Sequence, residues 1–548
     1  MTRSVRLRPW QKSALEKLLA SEHSDFLAVA TPGAGKTTFA LTAARHELAA
    51  RPTRLVVVAP TAHLKHQWSQ AADRFGLHLD PEWSPTNGRL APDMHGVVTS
   101  YQQVASAAPA LARLSDNAMV ILDEIHHAGD DRAWGEGVRI AFAGSARRLS
   151  LSGTPFRSDT RAIPFVRYVG DDAVPDFEYG YGDALRDRGV VRAVYFPRVD
   201  GQMEWSAPDG SIYSATFADA LDVQRANQRL RTALSLDGEW LPAVLAAAHR
   251  RLGEVRAHQS DAGGLVIALD QDHARAIARL LRDRLGAHAT VVTSDDPSAS
   301  ERISSFANGT SPWLVAVRMV SEGVDIPRLR VGVYATTTTT ELFFRQAVGR
   351  LVRWQRGKGR QDAHLFIPDD SRLRAHAFQI ADARRHSLRK VSDDKASDHE
   401  AIDEEMAASE LDELKDPEQM SLFAVLSAVA IGSPGDEVVK PWETEVELAD
   451  PDDDEGMVLD LPPAPILGRP TWALVGDNVA GKTHAQVKRA LRDANADAAR
   501  ALVLKTGWNH PRVNGELNRL AGIAAVSEAT IEQLQRRLDH ADRWYRNS

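Results

Sequence analysis

Cysteine is absent from the 548-residue sequence, and so is any long run of apolar residues. Without thiols the chain forms no disulfide, no thiolate zinc site and no iron–sulfur cluster, and this composition fits a reducing compartment. No apolar run approaches the roughly 20 residues that a membrane-spanning helix needs, and the first residues lack the apolar core of a signal peptide. We therefore expect a cytoplasmic protein that makes no contact with a membrane.

The formal net charge of −8 averages three regions of unlike charge. Residues 391–460 hold 23 acidic residues and three lysines, a local charge of −20. Residues 466–548 carry +5, and residues 1–390 carry +7. Basic regions on both sides of an acidic segment suit a protein that binds a polyanion. The alternative is that +7 spread over residues 1–390 is an ordinary solvated surface.

Short β-rich apolar runs alternate with helical patterns in two series along the chain. This alternation predicts an α/β fold in which parallel sheets are built from βαβ units. The runs are 26–30, 55–59, 96–99, 119–122 and 149–151, and then 265–269, 289–293, 313–317, 331–335 and 363–367.

The two series divide the chain into domains. We predict an α/β domain with its connector over 1–240, a second α/β domain over 241–390, a linker over 391–465 and a small helical domain over 466–548. The linker range is acidic and contains several prolines, which favours a largely flexible chain. Within it, the apolar segment 422–431 is an exception, and we interpret it as a short helix that docks on the preceding domains.

The segment Ala30-Thr-Pro-Gly-Ala-Gly-Lys36-Thr37 has the composition of a phosphate-binding loop. It lies between an apolar run and a helix-compatible one, so backbone N–H groups of the turn and of the helix N-terminus can wrap phosphates. Ala30 stands where such loops usually have glycine. Lys36 would neutralise the β- and γ-phosphates, and the Thr37 hydroxyl would ligate Mg²⁺. The residues assigned to the nucleotide are Thr31, Pro32, Gly33, Ala34, Gly35, Lys36, Thr37 and Thr38.

A second segment supplies the acidic half of the same site. Val120-Ile-Leu122 predicts a buried strand, and Asp123 and Glu124 follow at its end. In that position one carboxylate holds the metal and its neighbour activates a water molecule. Because both motifs stand at strand ends and in this order, they predict hydrolysis of a nucleoside triphosphate.

Further segments occur in the order of a known family. They are Leu7-Arg-Pro-Trp-Gln11, Val58-Ala-Pro-Thr61 with Leu64, Gln67 and Trp68, Val98-Thr-Ser-Tyr101, Leu151-Ser-Gly-Thr-Pro155, Ser321-Glu-Gly-Val-Asp325 and Gln346-Ala-Val-Gly-Arg350-Leu-Val-Arg353. With these motifs, residues 1–390 resemble the superfamily 2 helicases and translocases of the DExH group, and are similar to the motor subunits of type I and type III restriction enzymes. The resemblance implies an ATP hydrolase with two tandem RecA-like domains, the ATP-binding one over 1–240 and the helicase C-terminal one over 241–390.

The resemblance also implies roles for single residues. Gln11 resembles the adenine reader, because an amide donates and accepts at once, as the adenine edge requires. Asp123 would bind Mg²⁺, and Glu124 would orient the attacking water. Arg350 and Arg353 resemble arginine fingers of the second domain, which stabilise charge on the transferring phosphoryl group once the domains close. The catalytic set is therefore Lys36, Asp123, Glu124, Arg350 and Arg353. The nucleotide-binding set also includes Gly323, Asp325 and Gln346.

From the same resemblance, His126, Ser152 and Thr154 are expected to couple the nucleotide site to a nucleic-acid groove. His126 and His127 also suggest a metal site, but no acid stands at ligand spacing, so we favour the coupling role. For the hydroxyl residues that follow strands, the alternative is an ordinary turn or helix cap. Contacts to the phosphates and sugars of one strand fix its register without reading its sequence. Candidates for those contacts are Pro60, Thr61, Lys65, Thr99, Ser100, Thr293 and Ser294.

A second loop-like motif, Gly476-Asp-Asn-Val-Ala-Gly-Lys482-Thr483, matches the phosphate-loop pattern more strictly than the first. Too few residues follow it for a nucleotide-binding domain, and none of them predicts a strand that ends in paired acids, so we assign no nucleotide there. We expect a helical module instead, because segment 529–545 has apolar residues at helical spacing. Its basic and aromatic residues suit contact with nucleic acid or a partner, or else an ordinary solvated surface. They are Lys488, Arg489, Arg492, Trp508, His510, Arg512, Asn514 and Arg519.

The sequence therefore predicts an ATP-dependent nucleic-acid translocase or helicase that uses ATP and Mg²⁺. DNA is favoured over RNA, because segment 151–155 and the similarity to restriction motors point that way. No segment predicts a nuclease or a methyltransferase, so we expect a stand-alone motor or one subunit of a repair or defence system. The alternatives are an RNA helicase, and an NTP-gated clamp that binds nucleic acid or recruits a partner without unwinding. Protein partners are expected at the acidic linker or the C-terminal domain.

Overall fold

The computed structural model describes residues 4–87, 89–129, 132–153, 162–170, 172–187, 189–207, 211–293, 296, 298–317, 326–355, 357–359, 361–389, 424–431, 457–463 and 482–547. The chain forms two compact units. The first contains Met1–Val29, Gly35–Glu178 and Glu455–Ser548, and the second contains Ala30–Ala34 and Tyr179–Asp454. The first unit is therefore assembled from segments that lie far apart in the sequence.

The first unit is built on a seven-stranded sheet in the order β10-β2-β7-β6-β3-β5-β4, and every pair from β2 to β4 is parallel. Seven of the strands from Ser4 to Tyr179 form this sheet, whereas β1 and the pair β8–β9 lie outside it. The strands are β1 (Ser4–Leu7), β2 (Asp25–Ala30), β3 (Leu55–Ala59), β4 (Leu79–Asp80), β5 (Gly96–Ser100), β6 (Met119–Leu122), β7 (Arg147–Ser152), β8 (Tyr168–Val169), β9 (Asp172–Ala173) and β10 (Phe177–Tyr179). Its first five helices are α1 (Pro9–Ala20), α2 (Lys36–Ala50), α3 (Ala62–Arg74), α4 (Tyr101–Leu114) and α5 (Arg132–Phe142). The expectation of a parallel α/β sheet is confirmed here.

The central strands consist almost wholly of apolar residues because both faces of a parallel sheet are covered. All residues of β3 and β6 are buried, and side chains of α4 and α5, including Val104 and Phe142, pack in the same cluster. Val58 of β3 stands opposite Leu122, the last residue of β6. The residues that follow the parallel strands therefore meet at one edge of the sheet, where α/β proteins place their ligands.

The second unit has a nine-stranded sheet in the order β13-β12-β18-β17-β14-β16-β15, with β11 beside β18 and β19 beside β12. The strands are β11 (Ala193–Tyr195), β12 (Arg198–Ser206), β13 (Ile212–Thr216), β14 (Gly263–Ala268), β15 (Ala289–Val292), β16 (Trp313–Ala316), β17 (Leu329–Ala335), β18 (Asp362–Pro368) and β19 (Ala424–Ile431). The helices are α6 (Tyr181–Arg186), α7 (Val223–Ala233), α8 (Trp240–His258), α9 (Gln271–Leu285), α10 (Ala299–Asn308), α11 (Glu341–Leu351) and α12 (Ser371–Arg389).

Strands β14 to β18 pair in parallel, whereas β12 pairs antiparallel with β13 and β19. The core of this unit contains three tryptophans that are at most 1% exposed, Trp205, Trp240 and Trp313. The chain thus has the two tandem RecA-like sheets that the sequence predicts, and an antiparallel ribbon extends the second.

The prediction of a helix over 422–431 is wrong. Residues Ala424–Ile431 form β19, which pairs antiparallel with β12. Ala428 and Ala430 pack in the core of the second unit, whereas Val429 between them is 49% exposed. This period of two is that of a strand, and the edge of β12 supplies hydrogen bonds that a short segment does not obtain alone. The sequence misled because the pairing strand lies in a distant part of the chain.

The boundary between the units lies at Glu178/Tyr179, whereas the sequence places it between residues 240 and 241. Strand β12, which we assigned to a connector of the first domain, pairs with β18 and so belongs to the second unit. Of the predicted linker 391–465, the structure describes β19 and the segment 457–463. The rest of the linker, including its expected flexibility, lies outside the described residues.

The last part of the first unit adds one strand and a group of three helices. These are β20 (Met457–Asp460), which pairs antiparallel with β1, and α13 (His484–Thr506), α14 (His510–Ala521) and α15 (Ile531–Asn547). The helical C-terminal region that the sequence predicts is confirmed. Buried Arg537 joins the three helices, because its guanidinium donates to the side-chain oxygens of Asn495, Asn514 and Asn518.

Asp93 anchors these helices to the rest of the first unit. Its buried carboxylate accepts Lys488 Nζ at 2.5 Å, and it also accepts the Ile531 backbone N–H at 3.1 Å. His484 Nε2 lies 3.1 Å from the same carboxylate. Burial alone would raise the pKa of Asp93, but the hydrogen bonds and charges of His484 and Lys488 outweigh it and hold the pKa below its usual range.

Two further ion pairs support this docking. Arg489 lies 2.7 Å from Glu82, and Arg492 lies 3.7 Å from Asp80. Lys488 and these two arginines therefore contact acidic residues of the first unit. The sequence alone suggested that they contact a nucleic acid, and the structure gives them this docking role instead. None of the described helices is long and apolar enough to cross a lipid bilayer.

We expect Asp93→Asn to loosen the docking. The change leaves the buried Lys488 ammonium unpaired, and breaking one partner of a buried pair typically costs about 3–5 kcal/mol. Because the native pKa of Asp93 lies below the unfolded value of about 3.9, its contribution is complete above that pH and is lost as the pH falls through the native value. Thermal unfolding followed by circular dichroism should therefore show a lower midpoint for the variant near neutral pH, and a difference that shrinks on acidification.

The matched control is Asp497→Asn. Asp497 pairs with Arg500 at the surface of α13, and both side chains are well exposed. Its removal should change stability by no more than about 0.5 kcal/mol. Equal midpoints for the two variants would contradict an anchoring role for Asp93.

Candidate active site

The predicted phosphate loop joins the end of β2 to the start of α2. Gly33 and Gly35 have φ angles of +88° and +95°, left-handed values that other residues rarely adopt. An added Cβ at Gly35 would lie 2.7 Å from Gln11 Nε2, so the loop has room there only for glycine. Residues 31–35 thus form a turn that leads into Lys36, Thr37 and Thr38 at the N-terminus of α2, where backbone N–H groups bind anions.

Gln11 is tied to this loop. Its Nε2 donates to the Gly35 carbonyl oxygen at 2.9 Å, and its Oε1 accepts the Arg8 backbone N–H at 2.8 Å. The side chain is 3% exposed. Both sides of the amide are therefore engaged with the chain, so reading an adenine would require Gln11 to exchange these partners. That role stays a prediction.

Lys36, the first residue of α2, meets Glu124 after β6, with Nζ 3.0 Å from Oε1. The other carboxylate oxygen accepts the Gly153 backbone N–H at 2.9 Å and lies 3.6 Å from His126 Nδ1. Glu124 has a φ of +47°, an uncommon value for a residue other than glycine. Such strained backbone clusters at functional sites, and here it turns the carboxylate toward the phosphate loop's lysine.

Asp123 is held by two aromatic residues. Trp68 Nε1 donates to its Oδ2 at 2.8 Å, and the Tyr101 hydroxyl donates to its backbone carbonyl oxygen at 2.9 Å. Burial raises the pKa of Asp123, and the Glu124 carboxylate raises it further. Burial alone would raise the pKa of Glu124 as well, but Lys36, His126 and the Gly153 N–H together outweigh it and lower that pKa. Glu124 is thus the firmly ionised carboxylate of the site, whereas a further cation would be needed to stabilise the charged form of Asp123.

The structure brings His126 and Ser152 together, with Nδ1 3.4 Å from Oγ. This is the neighbourhood that the coupling role requires, and Thr154, the third residue of that set, lies outside the described residues. His127 packs on His126 with ring centroids 4.5 Å apart. Among the described residues, no group of three or more His, Asp or Glu is placed to hold a metal ion.

Three of the candidate nucleic-acid residues lie after β3. Pro60 and Thr61 are partly exposed at the start of α3. Lys65 Nζ donates to Gln103 Oε1 at 3.0 Å, and burial lowers the pKa of Lys65. Thr61 and Lys65 therefore place a hydroxyl and an ammonium group just after β3, near the sheet edge at which the nucleotide motifs lie.

The other candidates fit this role less well. Thr99 is 0% exposed, so its hydroxyl does not reach a surface, and Ser100 caps α4 by accepting the Gln103 backbone N–H at 3.3 Å. The alternative that we gave for such residues, a helix cap, therefore describes Ser100. Thr293 is buried in the second unit, and Ser294 lies outside the described residues.

The arginines of the second unit lie at the end of α11. Gln346 and Arg350 belong to this helix, and Arg353 follows it, all partly exposed. Residues 30–34 of the phosphate loop fall in the same unit, and an added Cβ at Gly33 would lie 3.3 Å from Arg353 Cδ. Arg353 is thus next to Gly33 within the second unit. Gly323 and Asp325 lie outside the described residues.

The sequence did not reveal the supports of Asp123. Trp68, Tyr101 and Gly153 belong to motifs of the sequence, but the motifs alone do not predict that these residues contact the acidic pair. Their functions depend on side-chain and backbone directions after β3, β5 and β7, which meet only when the sheet forms. The second loop-like motif differs from the first, since Thr483 caps α13 by accepting the Gln486 backbone N–H at 3.2 Å.

We expect Trp68→Phe to destabilise the first unit more than Trp83→Phe. Both tryptophans are buried, but only Trp68 donates to a buried carboxylate, and Trp83 Nε1 has no hydrogen-bond partner in the part of the chain that the structure describes. Losing the donor to Asp123 should cost about 1–3 kcal/mol, whereas the Trp83 change loses packing alone. Urea unfolding of both variants measures the difference, and equal losses would contradict a support role for Trp68.

Two family descriptions match the chain. "Type III restriction enzyme, res subunit" matches residues 4–157, which carry the phosphate loop and the acidic pair. "Helicase conserved C-terminal domain" matches residues 249–355, which carry α11 and both arginines. The two matched ranges fall on the two sheets in the order that the sequence predicts.

Three relatives are similar to the chain. The uncharacterized protein ML1624 of Mycobacterium leprae is 41% identical over 97% of this chain and 93% of its own length. The uncharacterized protein Rv2917 of Mycobacterium tuberculosis is 49% identical over 72% of this chain and 66% of its own length, slightly less than two thirds. The DNA 3'-5' translocase XPB2 of Sulfurisphaera tokodaii is 23% identical over 64% of this chain and 79% of its own length.

Among solved structures, a fragment of a putative HsdR subunit of a type I restriction enzyme from Vibrio vulnificus is 18% identical, with a TM-score of 0.46 over 66% of this chain and 64% of that one. The classification does not depend on this likeness. With these two helicase domains the chain resembles the superfamily 2 helicases, a group of nucleotide-hydrolysing enzymes, and it belongs to the same family as ML1624 of Mycobacterium leprae.

Proposed function

We propose that the chain is an ATP-driven DNA translocase, with Lys36, Asp123 and Glu124 as its hydrolytic centre. The observation that carries the proposal is the Lys36–Glu124 contact of 3.0 Å at the phosphate loop, with Asp123 held beside it by Trp68. A cation for phosphates, a carboxylate for a metal and a second carboxylate for water are what hydrolysis of a nucleoside triphosphate needs.

In the proposed reaction, phosphates of ATP attract Lys36 away from Glu124. Glu124 then keeps the Gly153 N–H on one oxygen and offers the other to the attacking water. Because its pKa is lowered, Glu124 is ionised near neutral pH and is able to accept a hydrogen bond from that water. The glycines of the loop let backbone N–H groups approach the phosphates.

Asp123 and Thr37 suit a magnesium ion. Their donors are a carboxylate and a hydroxyl oxygen, the ligand types that Mg²⁺ prefers. Trp68 donates to Oδ2 of Asp123, and a cation bound to this carboxylate would stabilise the charged form that burial disfavours. Bound Mg²⁺ would neutralise developing charge on the β- and γ-phosphates.

Arg350 and Arg353 are proposed to complete the site from the second RecA-like domain. Guanidinium groups placed at the transferring phosphoryl group stabilise its charge, and in other NTPases such an arginine is worth about 10³–10⁵ in rate. The spacing Gln346-x-x-Gly-Arg350-x-x-Arg353 at the end of α11 supports this assignment. Gln11 is the proposed adenine reader, because an amide suits the adenine edge, and this role requires it to exchange its Gly35 and Arg8 partners for the base.

DNA is proposed as the track because one relative, XPB2 of Sulfurisphaera tokodaii, carries the name of a DNA translocase. We also propose a cytoplasmic location, since a chain without cysteine suits a reducing compartment, and a role as a stand-alone motor or as a subunit of a repair or defence system. The direct test is the ATPase rate with single-stranded DNA, duplex DNA, RNA or no addition. Stimulation by DNA above RNA is expected, and stimulation by RNA alone would replace the proposal with an RNA helicase.

Lys36→Ala and Glu124→Gln should both reduce turnover by at least about 10²-fold, but they should differ in binding. Lys36→Ala removes a charged phosphate contact worth about 1.5–3 kcal/mol, so the Kd for ATP should rise roughly 10- to 100-fold. Glu124→Gln keeps its shape and should retain ATP. A fluorescent ATP analogue measures both constants.

The matched control is Lys482→Ala in the second loop-like motif, which should leave both turnover and ATP binding unchanged. Near-normal turnover in Glu124→Gln would show that another residue activates the water. Loss of turnover in Lys482→Ala would move the nucleotide site to the tail.

Arg350→Ala and Arg353→Ala should lower kcat by about 10³-fold with little change in the Kd for ATP, because they act on charge that develops in the transition state. Arg345→Ala serves as the control on the same helix, since Arg345 pairs with Glu341 at 2.7 Å and should have no part in hydrolysis. Single-turnover kinetics separates the chemical step from binding. A rise in Kd as large as the fall in kcat would assign the two arginines to binding alone.

A further inference from the structure

Several cations of the C-terminal helical domain (residues 482–547) have no carboxylate partner among the described residues, and two of these lie on aromatic rings. Lys488, Arg489 and Arg492 are engaged in docking. Three more arginines pair with acids on their own helices. These pairs are Arg500 with Asp497, Arg519 with Glu516, and Arg536 with Glu532. Lys505 and Arg512, in contrast, have no carboxylate within 4.0 Å among the described residues.

Both cations lie on aromatic rings. The Lys505 ammonium lies 4.2 Å from the ring centre of Tyr545, and the Arg512 guanidinium lies 3.7 Å from that of Trp508. Trp508 packs edge-to-face on Trp544 with centroids 5.3 Å apart. Lys505, Trp508, Arg512, Trp544 and Tyr545 are referred to below as the aromatic–cationic patch.

Lys505, Arg512 and Tyr545 are exposed, whereas Trp508 and Trp544 are partly buried against the core of the helical domain. Tyr545 is 46% exposed, and Leu504, next to Lys505, is 87% exposed. Lys505 also donates to the Tyr545 backbone carbonyl, so its ammonium is held at the ring rather than free to sweep the surface. Rings and cations of fixed position, without local acids to neutralise them, form a surface prepared for an anionic and aromatic ligand.

We propose that the aromatic–cationic patch is a second binding site for single-stranded nucleic acid, outside the motor domains. The proposal rests on the nucleic-acid motor function proposed above. A single strand alternates phosphates with flat bases, and the patch offers ammonium and guanidinium groups beside flat rings. Bases stack on aromatic side chains or on guanidinium planes at about 1–3 kcal/mol per base, and the cations pair with the intervening phosphates.

The patch sits on a domain that belongs to the first unit. Because Asp93 holds that domain through Lys488 and Ile531, a strand bound at the patch is tethered to the first RecA-like domain. The motor would then retain the strand through the steps of the hydrolysis cycle in which its own grip is weak, since a tethered second contact acts at high effective concentration.

The test compares two double variants of equal charge and equal location. Lys505→Gln with Arg512→Gln alters the patch, and Arg500→Gln with Arg519→Gln removes one cation from each of the same two helices. Fluorescence anisotropy with a labelled oligothymidylate of about 20 nucleotides gives the Kd at several salt concentrations. The patch variant should bind at least about tenfold more weakly, and its slope of log K against log salt should fall by about 1.4, two phosphates at roughly 0.7 each.

The control pair should change the Kd by less than about twofold, because its arginines already face acids. ATPase activity without nucleic acid should be unchanged in both double variants, and circular dichroism should show equal helix content. An equal loss of affinity in the two pairs would overturn the proposal, because the effect would then be general charge.

A second measurement does not depend on substitutions. Ultraviolet crosslinking of a bromodeoxyuridine oligonucleotide to the full wild-type chain should label peptides that contain Trp508 or Tyr545, and labels confined to the motor domains would overturn the proposal. Displacement of the oligonucleotide by an acidic peptide as well as by unlabelled strand would make the patch a protein-binding surface instead. A wild-type chain that binds no oligonucleotide would refute the motor function itself, whereas normal wild-type binding that the patch variant retains would refute the second site alone.

Discussion

The ion pair between Lys36 and Glu124 is the constraint on which the rest of the first unit depends. Neither group is fully exposed, and a poorly hydrated charge is stable only when a partner faces it. To bring the two together, β2 and β6 must end at the same edge, and the glycine turn and the strained backbone of Glu124 must aim both side chains inward. The parallel sheet therefore serves as the frame for one contact between a cation and a carboxylate. When the phosphates of a nucleotide bind Lys36, Glu124 is already in position to orient a water molecule.

Much of this arrangement could be predicted from the sequence because its determinants are local. A phosphate loop needs glycines, a lysine and a hydroxyl at fixed spacing, and the acidic pair needs only a preceding buried strand. The alternation of apolar runs with helical segments was enough for two tandem α/β sheets. The supports could not be predicted in the same way. Trp68 reaches Asp123 across 55 positions, and only the registers of β3 and β6 bring them together.

The errors have a common cause. Segment 422–431 has the composition of a buried helix as much as that of a strand, and the edge of β12 decides between them. The basic residues of α13 read as a nucleic-acid surface because the acids that face them, Asp80, Glu82 and Asp93, belong to the other end of the chain. Charge and hydropathy patterns limit which secondary structures and contacts a segment can form, whereas its partners elsewhere in the chain determine which of them it forms.

The first unit is assembled from both ends of the chain, and this affects how it folds during synthesis. Asp93 meets Lys488 across 395 positions, and the segment Tyr179–Asp454 of the second unit is made between them. On the ribosome, the first RecA-like sheet emerges long before its helical cap, so its acidic docking surface stays uncovered while the second unit folds. Contacts of such separation form late and slowly, because the loop must close before they contribute. The final assembly of the first unit is thus expected to follow the folding of the second, in an order opposite to that of the chain.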